Sequence, residues 1–206
     1  MKSQIFLFAA LAFAWNLVAA PIPINSLPKT ISSPGTYQVT IGLTDPSIIP
    51  AFIINSPTAG KIILDLGGFT IAGGNALVLG ISIQNPTNSA IIVRNGTLTR
   101  FDTGINISPA STGFITNVKI QNITFLGERI TSVFLGNANG CAVNDCSFVG
   151  IPSQSLSIYG IRDLGSSTGN AYSGDVFDGA QQTALSIGQF PFPTALNIDC
   201  HITPAP

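Results

Sequence analysis

Ile63-Leu64-Asp65-Leu66-Gly67-Gly68-Phe69-Thr70-Ile71 is the stretch from which the fold is read. Leu64 and Leu66 lie two apart, a step of three leads to Phe69, and Ile71 follows two later. A strand turns its side chains to opposite faces with a period of two, so a step of three between residues of one face means that an extra residue has been inserted and the chain has bent. Adding 27 to each position gives Ile91, Val93, Gly96 and Leu98, and adding 27 again gives Val118, Ile120, Ile123 and Phe125. A further 23 gives Cys141, Val143, Cys146 and Phe148, after which shifts of 29 and 25 lead to Phe177 and Ile202. The second bend residue in successive copies is Gly68, Asn95, Asn122, Asp145, Gly174 and Asp199. Glycine has no Cβ to clash at positive φ, and Asn and Asp tolerate that region best among the rest, so this set marks a recurring left-handed corner.

A second family of short apolar runs follows each bend: Leu77 to Ile83, Gly104 to Ile107, Ser132 to Leu135, Tyr159 to Ile161 and Ala184 to Ile187. No segment after the leader keeps the three-and-four spacing of an amphipathic helix. Strands that recur once per repeat fit a coil stacked on its predecessor at ~4.8 Å, each strand paired in parallel with its counterparts above and below. The expected fold is all-β, a right-handed parallel β-helix of about six short coils. An antiparallel β-sandwich also has many short strands, but it gives no reason for a left-handed corner to return near every 27th residue.

Ile31-Ser32-Ser33-Pro34-Gly35-Thr36-Tyr37, the stretch quoted first, and Ile92-Val93-Arg94-Asn95-Gly96-Thr97 together resemble the entry segment and first coils of the pectin lyase-like superfamily of right-handed parallel β-helices. The resemblance runs from about residue 30 to residue 202. It implies polysaccharide as the ligand class; the expectation is an exported, non-catalytic β-helix that binds glycan or forms part of a surface assembly, with pectate lyase-like or polygalacturonase-like chemistry at an atypical site as the catalytic alternative. Such hydrolases use close carboxylates, and the lyases use Ca²⁺-binding acidic clusters with a basic proton acceptor. Adjacent Asp-Asp, Gly-His-Gly and Arg-Ile-Lys, motifs of polygalacturonase-like enzymes, do not occur here.

Residues 1–20 read as a signal peptide, with Lys2 as the positive start, a largely apolar Ile5 to Val18, and Val18-Ala19-Ala20 before the cut. Residues 21–60 are expected to form an entry or capping segment, and residues 61–206 the β-helix. Export to the cell surface or medium follows, with no membrane association once the leader is gone. Charged residues are 8% of the chain against 45% hydrophobic ones, which excludes a charge-rich disordered tail. Without Lys2, seven Lys and Arg face nine Asp and Glu and are scattered, which argues against nucleic acid as a partner. The short tail after Ile202 leaves end-to-end association of copies open.

No catalytic residue is assigned and no cofactor is implied. Asp163, Asp175 and Asp178 are the best acidic grouping and a weak candidate for Ca²⁺; solvated loop carboxylates are the simpler expectation. His201, the single histidine, shares a strand face with Asp199, opposite Ile198, Cys200 and Ile202, and no nucleophile is identified for it. Cys141, Cys146 and Cys200 are an odd number, and Cys146 and Cys200 fall in one inward column two coils apart, so buried thiols serving as small hydrophobes are expected. Phe190 and Phe192, in a Phe-Pro-Phe-Pro loop, either stack on sugar rings or cover the end of the coil. Asn95, Asn106 and Asn122 begin Asn-X-Ser/Thr sequons, and a stacked internal amide ladder is the simpler expectation for Asn95 and Asn122.

Overall fold

A computed structural model describes residues 19–74, 78–84, 89–150, 159–164, 167–178, 183–188 and 197–203, with only the backbone course given for 183–185, 187–188 and 197–203. The described residues are all-β and wind into a right-handed parallel β-solenoid of about five turns, close to the six coils expected. One sheet stacks Ile22–Ile24, Gly35–Val39, Lys61–Asp65, Ala90–Thr99, Val118–Leu126, Ala142–Asn144 and Ala171–Asp178, with Asn197–Thr203 beyond. The second stacks Lys29–Ile31, Phe52–Ile54, Leu79–Ile83, Thr103–Ile107, Thr131–Gly136, Tyr159–Leu164 and Thr183–Gly188. Stacking therefore starts well before residue 61: the entry segment is itself wound into the first rungs, because Gly35–Val39 pairs with Lys61–Asp65.

The corner works as the sequence implies for five of its six members. Gly68, Asn95, Asn122, Asp145 and Gly174 have φ of 79°, 59°, 52°, 55° and 66°. Asp199 differs: it lies opposite Ser173, and its strand passes Gly174 through a register shift that leaves that residue no partner. The first repeat is also corrected. Leu64 pairs with Val93, a shift of 29, whereas beyond the bend Ile71 pairs with Leu98, a shift of 27. The first bend is longer by two residues and places both Gly67 and Gly68 at positive φ. Leu66 leans into the space where a side chain on Gly96 would stand, so glycine is required there. From Val93 onward the remaining shifts hold, with Ile120 opposite Val93, Val143 opposite Ile120 and Phe177 opposite Phe148.

A second left-handed corner lies on the other side of the same strands. Asn117, Gly140 and Gly169 have φ of 61°, 61° and 66° and stand just before Val118, Cys141 and Asn170, at the same shifts of 23 and 29.

Inward residues form columns. Leu64, Val93, Ile120 and Val143 continue into Tyr172, while Ile83, Ile107 and Leu135 continue into Asp163. The apolar members of both columns are fully buried. Each such side chain contributes about 1.5–3 kcal/mol of transfer free energy. Phe125, Phe148 and Phe177 stack face to face, with centroids 5.0 and 4.6 Å apart and planes within 9°.

Candidate functional site

The two aliphatic columns turn polar in the same coil, and the polar residues meet across the lumen. Tyr172 Oη donates to Asp163 Oδ2 at 2.7 Å, and Asn170 Nδ2 donates to the same oxygen at 2.9 Å. Asn170 also donates to the carbonyl of Ala138 and accepts from the amide of Cys141, both at 2.9 Å. Strand alternation aims Asp163 inward, and both Asp163 and Tyr172 are fully buried, so Asp163 is no solvated loop carboxylate. Burial, with the Asp163 carboxylate beside it, raises the Tyr172 phenol far above its ordinary range, and it stays a hydrogen-bond donor.

Asp175 departs from expectation in the same way. It stands opposite Cys146 and Cys200 in an inward column, is fully buried, and accepts the Cys146 amide at 2.9 Å through Oδ1, while Oδ2 has no hydrogen-bond partner among the described residues. Burial pushes its carboxyl up to about 7, and Asp145 adds to the rise. Asp178 is exposed. The structure thus places Asp163, Asp175 and Asp178 in three different settings, and no group of three His, Cys, Asp or Glu suited to a metal occurs among the described residues.

Glu128 carries no sequence motif to mark it. It is almost fully buried, neither carboxylate oxygen has a partner among the described residues, and burial raises its pKa well above the usual carboxylate range. Its neighbours in the chain are engaged elsewhere, since Arg129 pairs with Asp102 through Nε at 2.7 Å.

The thiols behave as expected of small hydrophobes. Cys141 and Cys146 are buried and unpaired, and burial pushes them up to about 11 and about 12. A nucleophile must be present as thiolate, so this environment opposes reaction. Cys200 stands two strands from Cys146 in the register, with Asp175 between.

The bend column lies on the outside, not in an internal ladder. Asn122 and Asp145 are exposed. The Asn95 amide is held by the Asp65 carboxylate at 3.3 Å, and Arg94 Nε bonds the same carboxylate at 2.8 Å. Adjacent side chains on a strand would face opposite ways, but the left-handed bend at Asn95 interrupts that alternation, which lets a single carboxylate serve both Arg94 and Asn95. Asn106 is half-buried on the second sheet.

One outward constellation was not visible in the linear sequence. On the second sheet Asn106, Phe134 and Arg162 are successive register partners, so they line up across three coils. The Arg162 guanidinium lies over the Tyr159 ring, 4.8 Å from its centroid. All four side chains are half-buried. Arg162 and Tyr159 stand three apart in one strand, a spacing that gave no signal alone; the row appears only when the coils are stacked. Phe190 and Phe192 fall outside the described residues, as does any account of the side chains of Asp199, Cys200 and His201, whose strand pairs with Ala171–Asp178.

Comparisons of the chain with protein-family models, curated proteins and solved structures gave no match.

Proposed function

We propose that this chain is an exported, non-catalytic β-helix of the pectin lyase-like kind that binds an extended glycan across the outer face of its second sheet. The observation that carries the reading is the row of Asn106, Phe134 and Arg162 with Tyr159 stacked beneath the guanidinium. Aromatic faces pack against the C–H face of a sugar ring, and an amide and a guanidinium offer donors to ring hydroxyls. Strands one coil apart repeat at ~4.8 Å, a step suited to a ligand that is itself extended and repetitive. The leader-like start at Lys2 to Ala20 and the low charge of the chain agree with an exported protein.

The catalytic alternative needs a carboxylate that reaches a substrate. Of the acidic grouping, Asp163 and Asp175 are turned into the lumen and bonded there, which leaves the exposed Asp178 without a second carboxylate from that grouping beside it and favours the binding reading.

Affinity electrophoresis and a glycan array test the proposal. The parent chain is expected to be retarded by at least one polysaccharide, and Phe134→Ala and Arg162→Ala are expected to abolish the retardation while leaving the circular dichroism unchanged. Retardation unaffected by both substitutions would remove this face as the site. Release of reducing ends or unsaturated products from the same panel, with or without Ca²⁺, would replace the binding reading with an enzymatic one.

A further inference from the structure

We infer that the N-terminal edge of the stack is closed to strand addition by Pro21 and Pro23, which keep copies of this chain from joining end to end. A parallel coil has two open ends, and each end strand would offer a row of unpaired amides to a second copy. Ile22–Ile24 is such an end strand, with Gly35–Val39 its one strand neighbour among the described residues.

Which of its amides face outward follows from one hydrogen bond. Thr40 N donates to the carbonyl of Ile24 at 3.1 Å, so the backbone groups of Ile24 point into the stack. In a parallel strand the backbone groups of successive residues point to opposite neighbours. Ile22 therefore points inward with Ile24, and the backbone of Pro23 points away from Gly35–Val39, to the side where no strand stands among the described residues. By the same alternation Pro21 points there too. The sequence Pro21-Ile22-Pro23-Ile24 thus puts proline at both outward positions and isoleucine at both inward ones. Proline has no N–H, so this edge offers an arriving strand carbonyls without donors. The prolines are exposed and fill no core, so packing does not account for their alternation.

The second sheet is blunted in a different way. Its end strand, Lys29–Ile31, is three residues long. Lys29 N donates to Ala51 O at 2.8 Å and Ile31 O accepts from Asn55 N at 3.0 Å, which leaves Thr30 alone facing the edge. Lys29 shares the face of buried Ile31, opposite Phe52 in the register, so a copy docking there would have to bury a charge.

The exported chain is tested by light scattering after size exclusion, over a concentration series. The parent is expected to have the mass of one chain throughout. The double variant Pro21→Thr, Pro23→Thr restores two N–H donors at exposed positions and is expected to double in mass as concentration rises. Adding Ile22→Lys to that variant is expected to return it to one chain. The single variant Pro23→Ser carries the same test should the double variant not fold. Two results would overturn the inference: both folded variants remaining at the mass of one chain, or the parent itself assembling through this edge.

Discussion

Removing one hydroxyl from the lumen tests whether the Tyr172 and Asp163 pair holds the coil together. Tyr172→Phe takes away the 2.7 Å donor to Asp163 Oδ2, and the carboxylate keeps Asn170 as its partner on that oxygen while Oδ1 has none among the described residues. A hydrogen bond to a charged group is worth about 1.5–3 kcal/mol, and no water enters a fully buried site freely, so Tyr172→Phe is expected to cost about 2 kcal/mol. Asp163→Leu restores the aliphatic column of Ile83, Ile107 and Leu135 but strands the Tyr172 hydroxyl, at about 1–3 kcal/mol. The double variant removes both halves together, and Asn170 still bonds Ala138 and Cys141, so the two costs are expected to overlap by at least about 1 kcal/mol. Urea unfolding followed by far-ultraviolet circular dichroism reads these as shifts of the midpoint, about 1 M for 2 kcal/mol at a slope of about 2 kcal/mol per M. Singles within about 0.5 kcal/mol of the parent, or costs that simply add, would refute the reasoning.

Phe148→Ala, at the centre of the ring stack, is expected to cost about 3–5 kcal/mol, and Phe148→Leu clearly less; equal costs would mean that the stack is not packed as described. Asp175 and Glu128 bind their protons more tightly when folded than when unfolded. Their contribution is complete below the ordinary carboxylate range of about 4, and Asp175 loses its share as pH rises through about 7. Asp175→Asn should therefore gain on the parent in urea midpoint between pH 4 and pH 8, and a difference independent of pH would contradict this. Cys141 and Cys146 are expected to resist iodoacetamide at pH 8 in the folded chain and to react fully in urea, as mapped by peptide mass spectrometry. Rapid labelling of either thiol without denaturant would show that it is not buried.

The solenoid was legible because its signal is a spacing. Asn95, Asn122 and Asp145 return at the same shifts, 27 and then 23, as the apolar residues around them, and a left-handed corner admits few residue types, so the bend could be counted along the chain. The first repeat misled because Leu64 and Leu66 satisfy alternation in either register, and only the pairing reveals the two extra residues around Gly67 and Gly68. The second corner at Asn117, Gly140 and Gly169 carried the same shifts and was readable, but no apolar step brackets it. Asp163 and Asp175 could not be placed from sequence, since a lone carboxylate reads as solvated until its partner is known. Tyr172 reaches Asp163 from the opposite sheet, and the Cys146 amide reaches Asp175 from the coil before. The row of Asn106, Phe134 and Arg162 was hidden for the same reason, its members being 28 residues apart.

Paired cysteines on the outer row of the first sheet test the stacking itself. Thr70 and Thr97 are register partners one coil apart, and Thr124 follows Thr97 one coil further on. Strands in register lie ~4.8 Å apart, inside the ~4.4–6.8 Å between Cα atoms that a disulfide spans, and two coils lie ~10 Å apart, outside it. Mild oxidation is predicted to close an intrachain disulfide in Thr70→Cys, Thr97→Cys and none in Thr70→Cys, Thr124→Cys. A disulfide in the second variant and none in the first would contradict the parallel stack.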